Sequence, residues 1–224
     1  MGLRIIEIIP NTIQGEGKFS GAACQFIRLS GCRSHCKWCD TKESWDIHAG
    51  ILMTEKEIVN KLSRIERVCI TGGDPLLQDC GPLIRYLKKR GFQVHFEVHS
   101  IGEVRAGETT IAPSWLKMAD HITFSPKSHL TYNFSYFNEL SDDFWEMVLK
   151  LVVFPLEESF DYAAKWISAS KGFSCMEGRV FLQCASGGDG KIIDPERVTK
   201  MFLDRSFPSN VRLSCQIHKV MKCE

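Results

Sequence analysis

Short apolar runs of strand character alternate along this chain with stretches whose apolar positions repeat at helical spacing. Leu3 to Ile9 and Ala23 to Ser30 read as the first two strands, the second holding Cys24, Phe26 and Leu29 with Arg28 inserted among them. Thr54-Glu55-Lys56-Glu57 is a capping-box sequence, and Ile58, Leu62 and Ile65 follow on one helical face, so a helix is expected to start at Thr54. Arg67 to Thr71 reads as a strand and Pro82 to Arg90 as a helix stopped by Gly91. In Gln93 to His99, Val94, Phe96 and Val98 alternate with His95, Glu97 and His99, as in a strand. His121 to Ser125, Val148 to Phe154, Phe181 to Ala185 and Val211 to Ile217 continue the series of strands. Helices are expected over Phe160 to Ala169, capped by Ser159, and over Pro195 to Leu203, capped by Asp194 with proline at a first helical position. Gly102 to Pro113 reads as a mobile loop.

Strand and helix in alternation call for parallel strands with crossover helices. The expected fold is therefore α/β: a partial, TIM-like barrel of about six parallel strands, short of the eight of a closed barrel, forming one domain over residues 1–224. Ligands in such folds gather at the carboxyl ends of the strands. Arg28 and the loop that follows it, Gly72-Gly73-Asp74, Glu97 to Ser100, Ser125-Pro126-Lys127, Gln183 and His218 all fall at such ends in this reading.

Composition narrows the partners. Of the 224 residues 44% are hydrophobic and 25% charged, with a formal net charge of +1, so no nucleic-acid partner is expected. No apolar run reaches the ~18 residues of a membrane span, so no membrane partner is expected either. The start, Met1 to Glu7, carries an early acid and no long apolar core, unlike a signal peptide. Gly2 does not begin a myristoylation signal, because Ile6 stands where Ser or Thr is needed. A cytoplasmic location follows, in which the ten cysteines stay reduced. Cys24, Cys69, Cys80, Cys175, Cys184, Cys215 and Cys223 are scattered and are expected to be mostly small core residues.

The remaining three cysteines are not scattered. Gly31-Cys32-Arg33-Ser34-His35-Cys36-Lys37-Trp38-Cys39-Asp40-Thr41 places three thiols in one short loop, residues 31–41. Such a loop can bind a [4Fe–4S] cluster through three irons and leave the fourth open to another ligand. It can also bind a structural zinc, with His35 or His48 as fourth ligand, or simply bury three thiols. A zinc staple does not explain why so many strands end in polar or glycine residues, and that accumulation favours the cluster. Upstream, Gln14 to Gly21 is a glycine-bearing segment that suits either a plain turn or close approach of backbone to a ligand.

The C-x3-C-x2-C loop with Trp38 before its last cysteine, followed by Gly72-Gly73-Asp74-Pro75 at a strand end, resembles the radical S-adenosylmethionine superfamily. Ile13-Gln14-Gly15-Glu16-Gly17, Phe26-Ile27-Arg28-Leu29, Cys39-Asp40-Thr41, Ile70 to Gln78, Ser125-Pro126-Lys127 and Gln216-Ile217-His218-Lys219 together resemble its 7-carboxy-7-deazaguanine synthase family. The resemblance implies a lyase that converts 6-carboxy-5,6,7,8-tetrahydropterin to 7-carboxy-7-deazaguanine with release of ammonia, on the way to 7-deazapurines such as queuosine. It implies that Cys32, Cys36 and Cys39 bind a [4Fe–4S] cluster and Thr41 a Mg²⁺ ion. S-adenosylmethionine would be contacted by Trp38, Gly72, Gly73, Asp74, Ser100, Ser125, Pro126, Lys127 and Gln183. The pterin would be contacted by Ile13, Gln14, Gly15, Glu16, Arg28, His99, His218 and Glu224. A homodimer and an electron donor such as flavodoxin or ferredoxin are also implied. Two positions depart from the pattern. Asp74 stands where the superfamily more often has Glu, and Val98-His99-Ser100 replaces the family's Thr-Asn-Gly or Thr-Gln-Gly. The rival readings are a radical enzyme that activates a partner protein and a non-enzymatic zinc-binding module.

Overall fold

The computed structural model describes residues 2–143, 146–169, 179–187 and 191–223. Its strands are β1 (Leu3–Ile13), β2 (Ala23–Leu29), β3 (Ile51–Met53), β4 (Arg67–Gly72), β5 (Gln93–Val98), β6 (Val104–Arg105), β7 (Glu108–Thr109), β8 (His121–Phe124), β9 (Met147–Val153), β10 (Val180–Cys184) and β11 (Val211–Ser214). Its helices are α1 (Glu55–Asn60), α2 (Gly81–Lys89), α3 (Phe134–Asp143), α4 (Glu157–Ala169), α5 (Pro195–Asp204) and α6 (Ile217–Met221). Among the described residues nine strands form one sheet in the order β11-β10-β9-β8-β5-β4-β2-β1-β3. The seven from β11 to β2 are mutually parallel, where the sequence suggests about six; β1 and β3 extend the β2 edge antiparallel. None of the described helices is long and apolar enough to cross a membrane.

Side chains alternate across the strands, so each parallel strand presents two different faces. On one face Ile27, Leu29, Val68, Ile70, Val94, Phe96, Ile122, Phe124, Leu149, Leu151, Val180 and Leu182 join the buried core. Leu83, Ile84 and Leu87 of α2 and Phe160, Ala163 and Trp166 of α4 join the same core. The other face carries the polar residues, Arg28 on β2, Cys69 on β4, His95 and Glu97 on β5, Thr123 on β8, Lys150 on β9 and Gln183 on β10, with Phe26, Val148, Val152 and Phe181 among them. This polar face carries the candidate site.

Several boundaries moved for identifiable reasons. The Thr54 cap is formed as read, with the full capping box to Glu57. Replacing Thr54 by alanine should cost about 1 kcal/mol and lower the melting temperature by roughly 2–4 °C, checked by thermal denaturation. α1 nevertheless ends at Asn60, because the buried Gln25 side chain takes over the next segment. It accepts from Ser63 N at 2.8 Å and donates to Ile65 O. Ser159 does not cap α4; its hydroxyl accepts from Phe154 N at 3.0 Å, and the helix starts earlier at Glu157. Asp194 caps α5 through Arg197 N. Gly102 to Pro113 is no open loop: it holds the β6–β7 hairpin, with Gly102 N donating to Thr110 O at 2.9 Å and Val104 N to Thr131 O at 2.8 Å. β11 stops at Ser214 rather than Ile217, since Ile217 N turns to donate to Gly15 O at 3.0 Å and α6 begins there. His218 therefore sits on a helix, not at a strand end.

Candidate active site

The cysteine loop leaves the carboxyl end of β2 and is fixed by its own backbone. Gly31 N donates to Ser44 O at 2.7 Å, Cys32 N to Trp45 O at 3.0 Å, and Cys39 N to Cys36 O at 3.0 Å. The end of β4 locks underneath, with Gly73 N donating to Leu29 O at 3.0 Å and Asp74 N to Gly31 O at 2.6 Å. All three thiols are unpaired; Cys36 is buried, and Cys32 and Cys39 are half-buried. Burial pushes the Cys36 thiol up, while Lys127 nearby pulls it back down. The described histidines of the loop region do not complete a compact four-ligand set with these sulfurs: His35 lies against Trp45, ring centroids 4.9 Å apart. A tetrahedral zinc needs sulfurs only about 3.8 Å apart. The described groups whose ligand atoms all meet within 4.8 Å are instead Cys69, His95 and Glu97.

Around the loop stand residues from four other strand ends. Ser34 Oγ lies 2.6 Å from His99 Nε2, which is also 3.9 Å from both Cys32 Sγ and Asp74 Oδ2, so His99 faces the cysteine loop. Asp74 is buried and accepts from Leu76 N at 3.3 Å. Lys127 donates to Ser125 Oγ at 3.2 Å, and its own backbone N–H is held by Tyr132 Oη at 2.9 Å. Pro126 beside them is buried. Ser100 Oγ is buried without a hydrogen-bond partner. Trp38 is edge-on to His129 and Phe154, at 5.5 and 5.4 Å. Gln183 lies further along, accepting from Ser214 Oγ at 2.8 Å.

A second polar group faces the first across the sheet. Gln14 donates to Glu97 Oε1 at 3.1 Å, Lys150 bridges Glu16 and Glu97, and Gln216 donates to the other oxygen of Glu16. Burial pulls the Lys127 ammonium down, while Cys36, Glu16 and Glu97, all within electrostatic range of it, pull it back up. Ile13 ends β1, and Gly15 lies directly under His218, whose Nδ1 would be 1.6 Å from a Cβ placed there. At the rim Arg28 pairs with Glu7 through Nε at 2.5 Å and donates to Thr41 Oγ1 at 3.2 Å. Lys219 reaches Asp40 at 3.1 Å. Burial alone would raise the Asp40 carboxyl, but Lys219, with help from Thr41 and Arg28, holds it below the usual carboxylate range. Glu224 lies outside the described residues.

A family model described as a 4Fe-4S single cluster domain matches residues 13–124. The 7-carboxy-7-deazaguanine synthase of Synechocystis sp. is 31% identical over 221 residues, covering 94% of this chain and 89% of its own. That of Methanospirillum hungatei is 32% identical over 222 residues, covering 97% and 85%. The chain belongs to the 7-carboxy-7-deazaguanine synthase family. Its fold also resembles the crystal structure of QueE from Escherichia coli, with a TM-score of 0.66 at 23% identity, over 96% of this chain and 94% of that one. The shared architecture is an α/β sheet that is mostly parallel.

The polar face of the sheet also holds residues that lie outside the sequence motifs. Lys150 is the main one; a single lysine inside the otherwise apolar run Met147 to Val153 was the available signal. Cys69 and His95 point to the same face. Lower in the sheet, Phe19 packs edge-on to His121 and His95 at 4.7 and 5.8 Å, with the Arg67 guanidinium 3.7 Å above its ring. Both histidines are buried, and loss of water pushes their pKa values well down. They stay neutral in the folded chain while their unfolded counterparts take up protons below about pH 6.5. Apo-protein stability should therefore fall as pH drops from about 6.5, each histidine adding a slope of about 1.4 kcal/mol per pH unit. Urea unfolding between pH 7.5 and 5 checks this; replacing both by glutamine should flatten the slope.

Proposed function

We propose that this chain converts 6-carboxy-5,6,7,8-tetrahydropterin to 7-carboxy-7-deazaguanine with release of ammonia, as a radical S-adenosylmethionine enzyme in 7-deazapurine (queuosine) biosynthesis. The observation that carries the reading is the presence, on one chain, of three free thiols on one loop and a buried carboxylate–ammonium network on the polar face of the sheet. Cys32, Cys36 and Cys39 fit a [4Fe–4S] cluster: they are unpaired, share one backbone-braced loop and have a cation beside them. When bound, a cluster with one iron free of protein thiolate supplies the electron for reductive cleavage of S-adenosylmethionine.

The protein supplies binding, orientation and exclusion of water. In this reading the polar groups of the cosubstrate meet the unpartnered Ser100 hydroxyl, Ser125 and Lys127, and its adenine meets Trp38; the free Ser100 hydroxyl and the Lys127–Ser125 bond support it. Asp74, held in a turn and buried, accepts from the cosubstrate's amino group, with Gly72, Gly73, Pro126 and Gln183 shaping the cradle. Arg28 keeps its remaining N–H donors for the pterin carboxylate, where a planar fork binds better than a point charge. Gln14, Glu16 and the backbone of Ile13 and Gly15 serve the ring edge of the pterin, and His218 closes over it. His99 positions Ser34 and the first cysteine. Thr41 offers a hard oxygen for Mg²⁺, which Arg28 now shares.

In the same reading the sheet is an incomplete barrel within one domain over 1–224, paired as a homodimer in the cytoplasm and fed electrons by a flavodoxin- or ferredoxin-type donor. The test is anaerobic incubation of the reconstituted chain with reductant, S-adenosylmethionine, Mg²⁺ and the carboxypterin. The deazaguanine acid and ammonia should appear in equal amounts. Cosubstrate cleavage with the carboxypterin left unchanged would reject the substrate.

A further inference from the structure

We infer that Lys150 is a positioning residue that holds Glu16 and Glu97 as paired acceptors for a planar ligand edge bearing adjacent N–H groups, such as the 2-amino-4-oxo edge of a pterin. The inference rests on the proposed substrate. Lys150 occupies the middle of β9, is 5% exposed and faces the polar side of the sheet. Its ammonium pairs with Glu16 Oε2 and lies 3.4 Å from Glu97 Oε2. Glu16 is carried by the connection between β1 and β2 and Glu97 by β5, so one side chain ties a loop-borne carboxylate to a sheet-borne one. Gln216 and Gln14 hold the outer oxygens. Each of the four oxygens thus has a protein donor and a second lone pair to offer a ligand.

Acceptor oxygens that each keep a lone pair suit a donor edge rather than an anion. A metal is the competing occupant, since Cys69, His95 and Glu97 bring ligand atoms within 4.8 Å of one another. The ammonium already supplies a cation to Glu97, so that role is filled. A purely architectural lysine is poorly explained, because a buried ion pair is commonly replaceable by apolar residues without loss of stability, and apolar residues fill the rest of β9.

The test compares Lys150→Met and Lys150→Arg with wild type in the reconstituted full chain, measuring KM separately for the carboxypterin and for S-adenosylmethionine. Lys150→Met should raise the pterin KM by about 10- to 100-fold, the scale of a charge-assisted hydrogen bond lost, and leave the cosubstrate KM within about threefold. A lysine that only stabilises the fold would lower the active fraction and leave both KM values in place, which overturns the inference. Should Lys150→Met fail to fold, Lys150→Arg decides, since it keeps the charge and shifts its position. A pterin affinity at least about 10-fold weaker is expected, and wild-type affinity overturns the inference. Wild-type turnover runs alongside: its absence overturns the substrate reading and this inference together, whereas normal turnover with unaffected variants overturns this inference alone.

Discussion

Cys36→Ala is expected to bring cosubstrate cleavage and product formation down to background. Three thiolates hold three irons of a [4Fe–4S] cluster and leave the fourth open. Cys36 is the most buried of the three, 7% exposed, and lies beside Lys127. With two ligands left on a half-buried loop, the cluster is lost rather than shifted. Cys80→Ala is the matched control. That thiol is also buried, but it sits at the start of α2 and donates to Pro75 O at 3.7 Å, away from the loop. It should keep its full iron content and lose only some stability. Iron analysis and cosubstrate cleavage on the two variants separate cluster ligation from simple packing.

Gly73→Ala should be among the most damaging methyl additions at the described glycines. A Cβ there would sit 2.0 Å from Gly31 O and 2.8 Å from Ser44 O, both backbone atoms that cannot rotate away. Relief requires β4 to withdraw from the base of the cysteine loop, breaking the Asp74 N to Gly31 O bond. A loss of about 3 kcal/mol or more is expected, lowering the melting temperature by roughly 6–12 °C for a chain of this size, with reduced iron retention. Gly91→Ala makes the contrast: nothing stands within 4 Å of its Cβ, so only the φ of +83° matters. That should cost about 1 kcal/mol and leave iron untouched. Gly72 and Gly73 thus exist first to let two strand ends nest, with φ +122° at Gly72 and its Cβ 2.3 Å from Leu29 backbone.

The alternation of Val94, Phe96 and Val98 with His95, Glu97 and His99 already separated a core face from a polar one, and the structure uses it so on β5. The capping box at Thr54 and the Asp194 cap were legible because they are local, needing only four residues each. β3 was missed because Ile51 to Met53 is three residues long and its pairing partner, β1, lies far back in the chain. α6 was missed for a similar reason: Ile217 leaves the strand only because Gly15 O waits for its N–H. Of the candidate site, the cysteines were visible through their spacing and Asp74 through its place at a strand end. The link from Lys150 to Glu16 spans 134 positions and has no local signature beyond one charge in an apolar strand. Arg28, which the resemblance makes a pterin contact, has an acid partner in Glu7 in this structure.

Metal content of the anaerobically reconstituted chain bears most directly on whether the loop at 31–41 is a cluster site at all. About four irons per chain with matching sulfide, lost in the variant lacking the three loop cysteines, is the expected outcome. One tightly held zinc per chain, and no iron after thorough loading, would contradict it.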